Sequence, residues 1–219
     1  MIRRNGDSAG AGMSRRIFTG AGLATAGALW TSGARALADR PPTAESPMGP
    51  FYPTIHPADA DVDLTWVKGR SARALGQVIE VSGRVFDLHG NPVPNATLEL
   101  WQANAAGRYD HPSDVSKAPL DPNFQGYATL QTDAQGAWRV VTIKPGGYDS
   151  PIGHRTPHIH FDVRGPKSRN IAQLYFSEEA ATNAADALYK GLGADAPTSV
   201  AVRNAGDPNK YVWDIVMLG

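Results

Sequence analysis

An all-β fold is what this sequence predicts, an antiparallel β-sandwich core with long loops and one or two short helices. Three observations carry that expectation. Apolar residues recur with period two in short runs, the pattern of strands with one buried face. The 219-residue chain holds 23 Gly and 17 Pro against 19% charged residues, a composition rich in turns. Only one stretch carries helix signals.

The elements follow in order. After a proline-rich entry, Asp39 to Pro57, Val78 to Asp87 alternates and runs into a turn at His89-Gly90-Asn91-Pro92. Thr97 to Gln102 alternates again. Further strands are expected at Tyr127–Gln131, Ala137–Lys144, His158–Val163, Ile171–Phe176, Val200–Arg203 and Tyr211–Met217. The helix is expected from Ser177, as N-cap, through Glu178, Glu179 and an alanine-rich stretch to Lys190, ending near Gly191.

With 42% apolar residues and a formal net charge of zero, residues 39–219 should form one domain with a substantial core. No basic block suits a polyanion, so no nucleic-acid partner is expected. Residues 1–38 read as a twin-arginine export signal. Ser14-Arg15-Arg16-Ile17-Phe18-Thr19 precedes a weakly apolar run from Gly20 to Trp30, and Ala36-Leu37-Ala38 offers a small-x-small cleavage site. That run is shorter and richer in Gly and Ala than the roughly 20 residues of a membrane span, so no stable anchor is expected after cleavage. A periplasmic or extracellular protein follows. It has no cysteine, hence no disulfide framework.

His158 and His160 stand two apart in a strand, so both imidazoles point to one side. Tyr109 and Tyr148, each in a glycine-rich setting, could add two anionic oxygens. A phenol of pKa about 10 becomes a ligand at neutral pH only when a strongly Lewis-acidic cation displaces its proton. Two phenolates and two imidazoles suit Fe(III) better than zinc. Alone, however, a His-x-His pair is more often ordinary packing than a metal site.

Longer motifs change that balance. Val81-Ser82-Gly83-Arg84-Val85-Phe86-Asp87, Gly90-Asn91-Pro92-Val93-Pro94, Leu98-Glu99-Leu100-Trp101-Gln102-Ala103-Asn104 and Gly107-Arg108-Tyr109 occur in that order. Together they resemble the signature of the intradiol ring-cleavage dioxygenases. Pro119-Leu120-Asp121-Pro122-Asn123-Phe124 and Thr142-Ile143-Lys144-Pro145-Gly146-Gly147-Tyr148 are most similar to the protocatechuate branch of that family. The resemblance implies Fe(III) held by Tyr109, Tyr148, His158 and His160. It implies that Arg155 and Gln173 stabilise charge beside the metal and that Tyr148 acts as a base. Trp101 and the opening Gly49, Pro50, Phe51 and Tyr52 would line the pocket.

The implied activity is cleavage of a catechol-type ring between its hydroxylated carbons by O2, giving a cis,cis-muconate-type diacid. A protocatechuate-like substrate is favoured, with catechol, hydroxyquinol or lignin-derived diols as alternatives. The segment between Tyr148 and Arg155 is shorter than in protocatechuate enzymes and has Asp149-Ser150-Pro151 where an aromatic residue is expected. Those enzymes pair two different chains, whereas this chain joins the ligand set to a Gly-Pro-Phe-Tyr opening typical of the partner. A homo-oligomer with a self-contained pocket is expected. From another class, an exported non-catalytic binding module would have no reason to keep four ligands together with Arg155.

Overall fold

Period-two alternation in Val78–Asp87 produces the longest strand, β1, with Ile79, Val81 and Val85 turned inward. The computed structural model describes residues 40–57 and 59–218, so the expected export segment lies outside the described residues. Ten strands follow β1: β2 (Thr97–Trp101), β3 (Tyr127–Gln131), β4 (Ala137–Ile143), β5 (Tyr148–Ser150) and β6 (Gly153–Arg155); then β7 (His158–Arg164), β8 (Arg169–Phe176), β9 (Val200–Arg203), β10 (Lys210–Val212) and β11 (Ile215–Met217). Two short helices, α1 (Ala180–Ala185) and α2 (Ala187–Gly191), lie between 3-10 turns at Ser177–Glu179 and Gly193–Ser199.

One layer runs β4-β1-β10-β9 and the other β3-β2-β7-β8-β9, so β9 belongs to both and closes one side of the sandwich. Leu98, Leu100, Ile159, Phe161, Val163 and Leu174 of one layer meet Ile79, Val81, Val85 and Val140 of the other, with Trp138 and Trp213. Burying such side chains contributes roughly 1.5–3 kcal/mol each.

The fold class is the expected one, with three differences of detail. The sheet is mixed rather than purely antiparallel: β1 pairs in parallel with β10 and β11, and β8 with β9. The expected strand Tyr211–Met217 is interrupted at Trp213 and Asp214, where the Trp213 N–H bonds the Ser82 carbonyl at 2.9 Å and the Asp214 carboxylate accepts the Arg84 N–H at 3.1 Å. The register with β1 is the same on both sides of the break.

The single expected helix is broken. Asp186 takes an extended conformation (φ −69°, ψ 128°), and its side chain accepts the Leu188 and Tyr189 N–H groups, starting α2. Ser177 caps nothing. Its hydroxyl instead accepts the Arg203 N–H at 3.1 Å, tying the turn to β9.

Strand β7 is buried on both faces. Ile159, Phe161 and Val163 serve the core, while His158, His160 and Asp162 point the other way. Across that outer face, Trp101 of β2, His160 of β7 and Gln173 of β8 are register partners, and His158 pairs with Tyr175 one step along.

Candidate metal centre

Sheet register therefore aligns the polar outer row, and two loops bring phenols to it. Tyr109 follows the turn Ala105–Arg108, in which the Asn104 side chain accepts the Ala106 and Arg108 N–H groups and the Asn104 N–H bonds the Arg108 carbonyl. Tyr148 begins the hairpin β5–β6. The two loops touch through glycine backbone: a Cβ on Gly107 (φ +75°) would stand 2.3 Å from the Gly147 carbonyl oxygen. The Gly146 N–H also bonds the Asn104 carbonyl at 3.0 Å. Gly146 and Gly147, just before Tyr148, are thus a packed joint between loops.

All four expected ligands come together. Ring centroids are 4.9 Å apart for His158 and His160, 5.6 Å for Tyr109 and Tyr148, 5.7 Å for Tyr148 and His158, and 6.3 Å for Tyr109 and His160. Three of the four keep a polar atom that the protein leaves unused. Tyr109 Oη, His158 Nε2 and His160 Nδ1 are buried with no hydrogen-bond partner, a costly arrangement unless something else satisfies them. The Thr156 carbonyl accepts from His158 Nδ1 at 2.6 Å, so a neutral His158 carries its lone pair on Nε2.

Electrostatics agree. Burial, with Arg155 nearby, holds His158 down at about 3, and burial and His158 depress His160 well below the usual histidine range. Both imidazoles are neutral. Burial, with Tyr148 alongside, holds Tyr109 well above a free phenol, and burial also raises Tyr148 against the opposing Arg155. Such phenols give up their protons only to a strong Lewis acid. Among the described residues no group of three or more His, Asp or Glu could hold a metal, so an ion on the His158–His160 pair would draw its further protein ligands from the phenols. The donor set fits Fe(III).

Gly49 (φ +75°) approaches His160, where a Cβ would lie 3.3 Å from Cε1. Phe51 stacks on Tyr109 with centroids 4.6 Å apart. Pro50 and Phe51 help line a cavity of about 460 Å³ beside Tyr148, with Asp114, Asp149 and Pro151 on its walls. Trp101 and Tyr52 stand behind the metal row instead. Trp101 stacks face to face on His160 (4.9 Å, 8°), and Tyr52 packs edge-on against Trp101 while donating to Glu99 at 2.7 Å.

Arg155 is the register partner of Tyr148 across β5–β6. Its Nη2 donates to Gln173 Oε1 at 2.6 Å, and Tyr175 Oη donates to the same oxygen at 3.0 Å. Its Nε donates to Asp186 Oδ2 at 2.8 Å. Tyr175 and Asp186 were not singled out in the sequence. Period two from Gln173 along β8 points to Tyr175; for Asp186 the one signal is an aspartate, a preferred N-cap, inside an alanine-rich run.

A family model described as "Dioxygenase" matches residues 48–219. Over 181 residues the chain is 40% identical to the protocatechuate 3,4-dioxygenase beta chain of Burkholderia cepacia, covering 78% of this chain and 77% of that one. Over 177 residues it is 38% identical to the alpha chain from the same organism, covering 77% and 79%. Among solved structures, the dioxygenase domain of a dioxygenase carbohydrate-binding protein fusion from Streptomyces sp. SirexAA-E aligns with a TM-score of 0.62 and 27% identity, covering 81% of this chain and 99% of that one. The 3-chlorocatechol 1,2-dioxygenase of Rhodococcus opacus 1CP shares the fold at the same TM-score, 0.62, with 20% identity over 84% of this chain and 76% of that one.

Proposed function

Since the chain belongs to the intradiol ring-cleavage dioxygenases, we propose that it is an exported Fe(III) enzyme opening a catechol-type ring between its hydroxylated carbons with O2, to a cis,cis-muconate-type diacid. The observation that carries this reading is the convergence of Tyr109, Tyr148, His158 and His160, three of which (Tyr109, His158 and His160) keep a buried polar atom without a partner. These four would hold the ferric ion, which when bound supplies Lewis acidity toward the diol oxygens and draws electron density from the ring.

The chain's own residues do the rest. Tyr148, which would be a phenolate with the ferric ion bound, takes one phenolic proton from the entering diol on Oη and becomes the neutral phenol. It is the phenol free to give way, because it borders the cavity, whereas Tyr109 is buried under Phe51. Arg155 Nη1, which donates to nothing among the described residues, stabilises negative charge as the ring becomes ketonic. Gln173 holds the neighbouring Nη2. Pro50 and Phe51 keep an apolar wall against the ring and exclude water.

Two observations bear on the diol. The 40% identity to a protocatechuate 3,4-dioxygenase beta chain favours a protocatechuate-like substrate. A second reading, an uncharged diol such as catechol or hydroxyquinol, is favoured by Asp114 and Asp149 on the wall beside Tyr148, since carboxylates there would repel a ring carboxylate. The ratio of kcat/KM for protocatechuate and catechol decides between them.

The primary test is the visible spectrum of iron-loaded protein, before and after each diol without oxygen. A reddish tyrosinate-to-ferric band that moves with a diol supports the assignment. A colourless protein holding zinc or no metal would favour an exported binding module. We further propose a homo-oligomer, supported by the nearly equal identity to alpha and beta chains, 38% and 40%. A fully active monomer in sedimentation would overturn it.

A further inference from the structure

Arg155 is nearly inaccessible, at 5% exposure, and its binding partner is more deeply buried still: the Asp186 side chain has no exposed surface. One carboxylate there receives four donors. Oδ2 accepts Arg155 Nε at 2.8 Å and the Thr156 N–H at 3.0 Å; Oδ1 accepts the Leu188 and Tyr189 N–H groups at 2.8 and 3.2 Å. Three parts of the chain therefore meet on it: the end of β6, the linker before His158, and the start of α2.

A guanidinium offers five N–H groups in a rigid fork, so fixing two of them fixes where the others point. Asp186 takes Nε and Gln173 takes one N–H of Nη2. Nη1 is then aimed, without rotational freedom, from the strand position opposite Tyr148. Gln173 alone is a single-point pivot. It is neutral, and a long side chain held at one nitrogen could turn about that bond.

We propose that Asp186 is the positioning residue for Arg155, holding the guanidinium in the orientation that meets the reacting diol and anchoring the β6 arm of the hairpin whose β5 arm carries Tyr148. The break between α1 and α2 serves this purpose. A continuous helix would bury Asp186 Oδ1 with no free N–H to satisfy it, whereas the extended conformation at Asp186 frees the first N–H groups of α2. Thr156 is held in the same knot, its hydroxyl donating to Asn183 Oδ1 at 2.9 Å, so the linker leading to His158 is clamped on both sides. The inference rests on the proposed function only in having Arg155 face the diol.

Asp186→Asn tests it, because asparagine keeps the shape and one capping oxygen while removing the charge. In the iron-loaded full chain, Asp186→Asn should lower kcat at least tenfold, with KM for the diol within twofold and the tyrosinate band unchanged. In an Arg155→Ala background the same substitution should cost nothing further. Wild-type kcat in Asp186→Asn, or an equal loss in both backgrounds, would overturn the positioning role.

A measurement independent of turnover uses the metal-free wild-type chain. Arg155 Nε–H, identified by its loss in Arg155→Lys, should give a slowly exchanging NMR resonance. An Arg155 Nε–H that exchanges as fast as an exposed arginine sinks the inference whether or not Asp186→Asn folds. A wild-type protein that cleaves no diol would instead sink the proposed function, and the NMR result would still decide Asp186.

Discussion

At the residue scale, the pair His158 and His160 could be read directly, because a period of two needs nothing but a strand to place both rings on one face. Their neighbours could not. Trp101 was expected in the pocket, yet it lies flat against His160 because the register of β2 on β7 pairs the two residues, and register is a property of tertiary pairing. The chemistry predicts that His160→Ala loses iron, checked by metal analysis after purification. Arg155→Ala should keep its iron and lose about 10²–10³ in kcat, the usual effect of removing one charge-stabilising donor. It should also unfold more readily, since Asp186 is left as an uncompensated buried charge.

Among the elements, alternation located β1, β3 and β9 to the residue, while β5 and β6 escaped. Three residues each side of a Pro151-Ile152 turn show no periodicity to find, yet this hairpin carries both Tyr148 and Arg155. The helix was mistaken for one because alanine-rich sequence favours helix on either side of Asp186 and only a cap with a distant partner divides it. Asp186 also makes this element acid-sensitive. Burial pushes its carboxyl up, but Arg155 and the N–H groups of Tyr189 and Thr156 outweigh burial and hold it below the usual value. Its contribution is therefore complete above an unfolded aspartate pKa of about 3.9 and is lost as pH falls through the lower folded value. Urea unfolding followed from about pH 5 down to about pH 2 should show that acid limb in wild type and a flatter one in Asp186→Asn. At the loop joint, Gly107→Ala forces a left-handed non-glycine residue and a Cβ against the Gly147 carbonyl. Thermal melts should show a loss of about 2–4 kcal/mol.

For the whole molecule, fold class was legible because buried apolar residues and turns repeat at strand spacing throughout. The parallel pairings of β8 with β9 and of β1 with β10 and β11 were not, since alternation does not record strand direction. Leu174→Ala, in the fully buried core, should cost 2–5 kcal/mol in denaturant unfolding, as such truncations do. Iron that binds the folded chain alone should raise the melting temperature, and a chelator should reverse the gain. The export proposal predicts that replacing Arg15 and Arg16 by lysine leaves the protein in the cytoplasm, measured by fractionation.

β1 finds its last neighbours some 130 residues downstream, Glu80 beside Lys210 and Val85 beside Ile215. During synthesis, β1 therefore leaves the ribosome long before that flank is covered, presenting Val-Ile-Glu-Val with its backbone groups open to any like strand. Two nascent copies can meet there before either is finished. Yield of soluble protein should accordingly depend on how crowded the polysomes are: slow induction at low temperature should favour the native chain over inclusion bodies, and a chaperone that shields nascent strands should do the same.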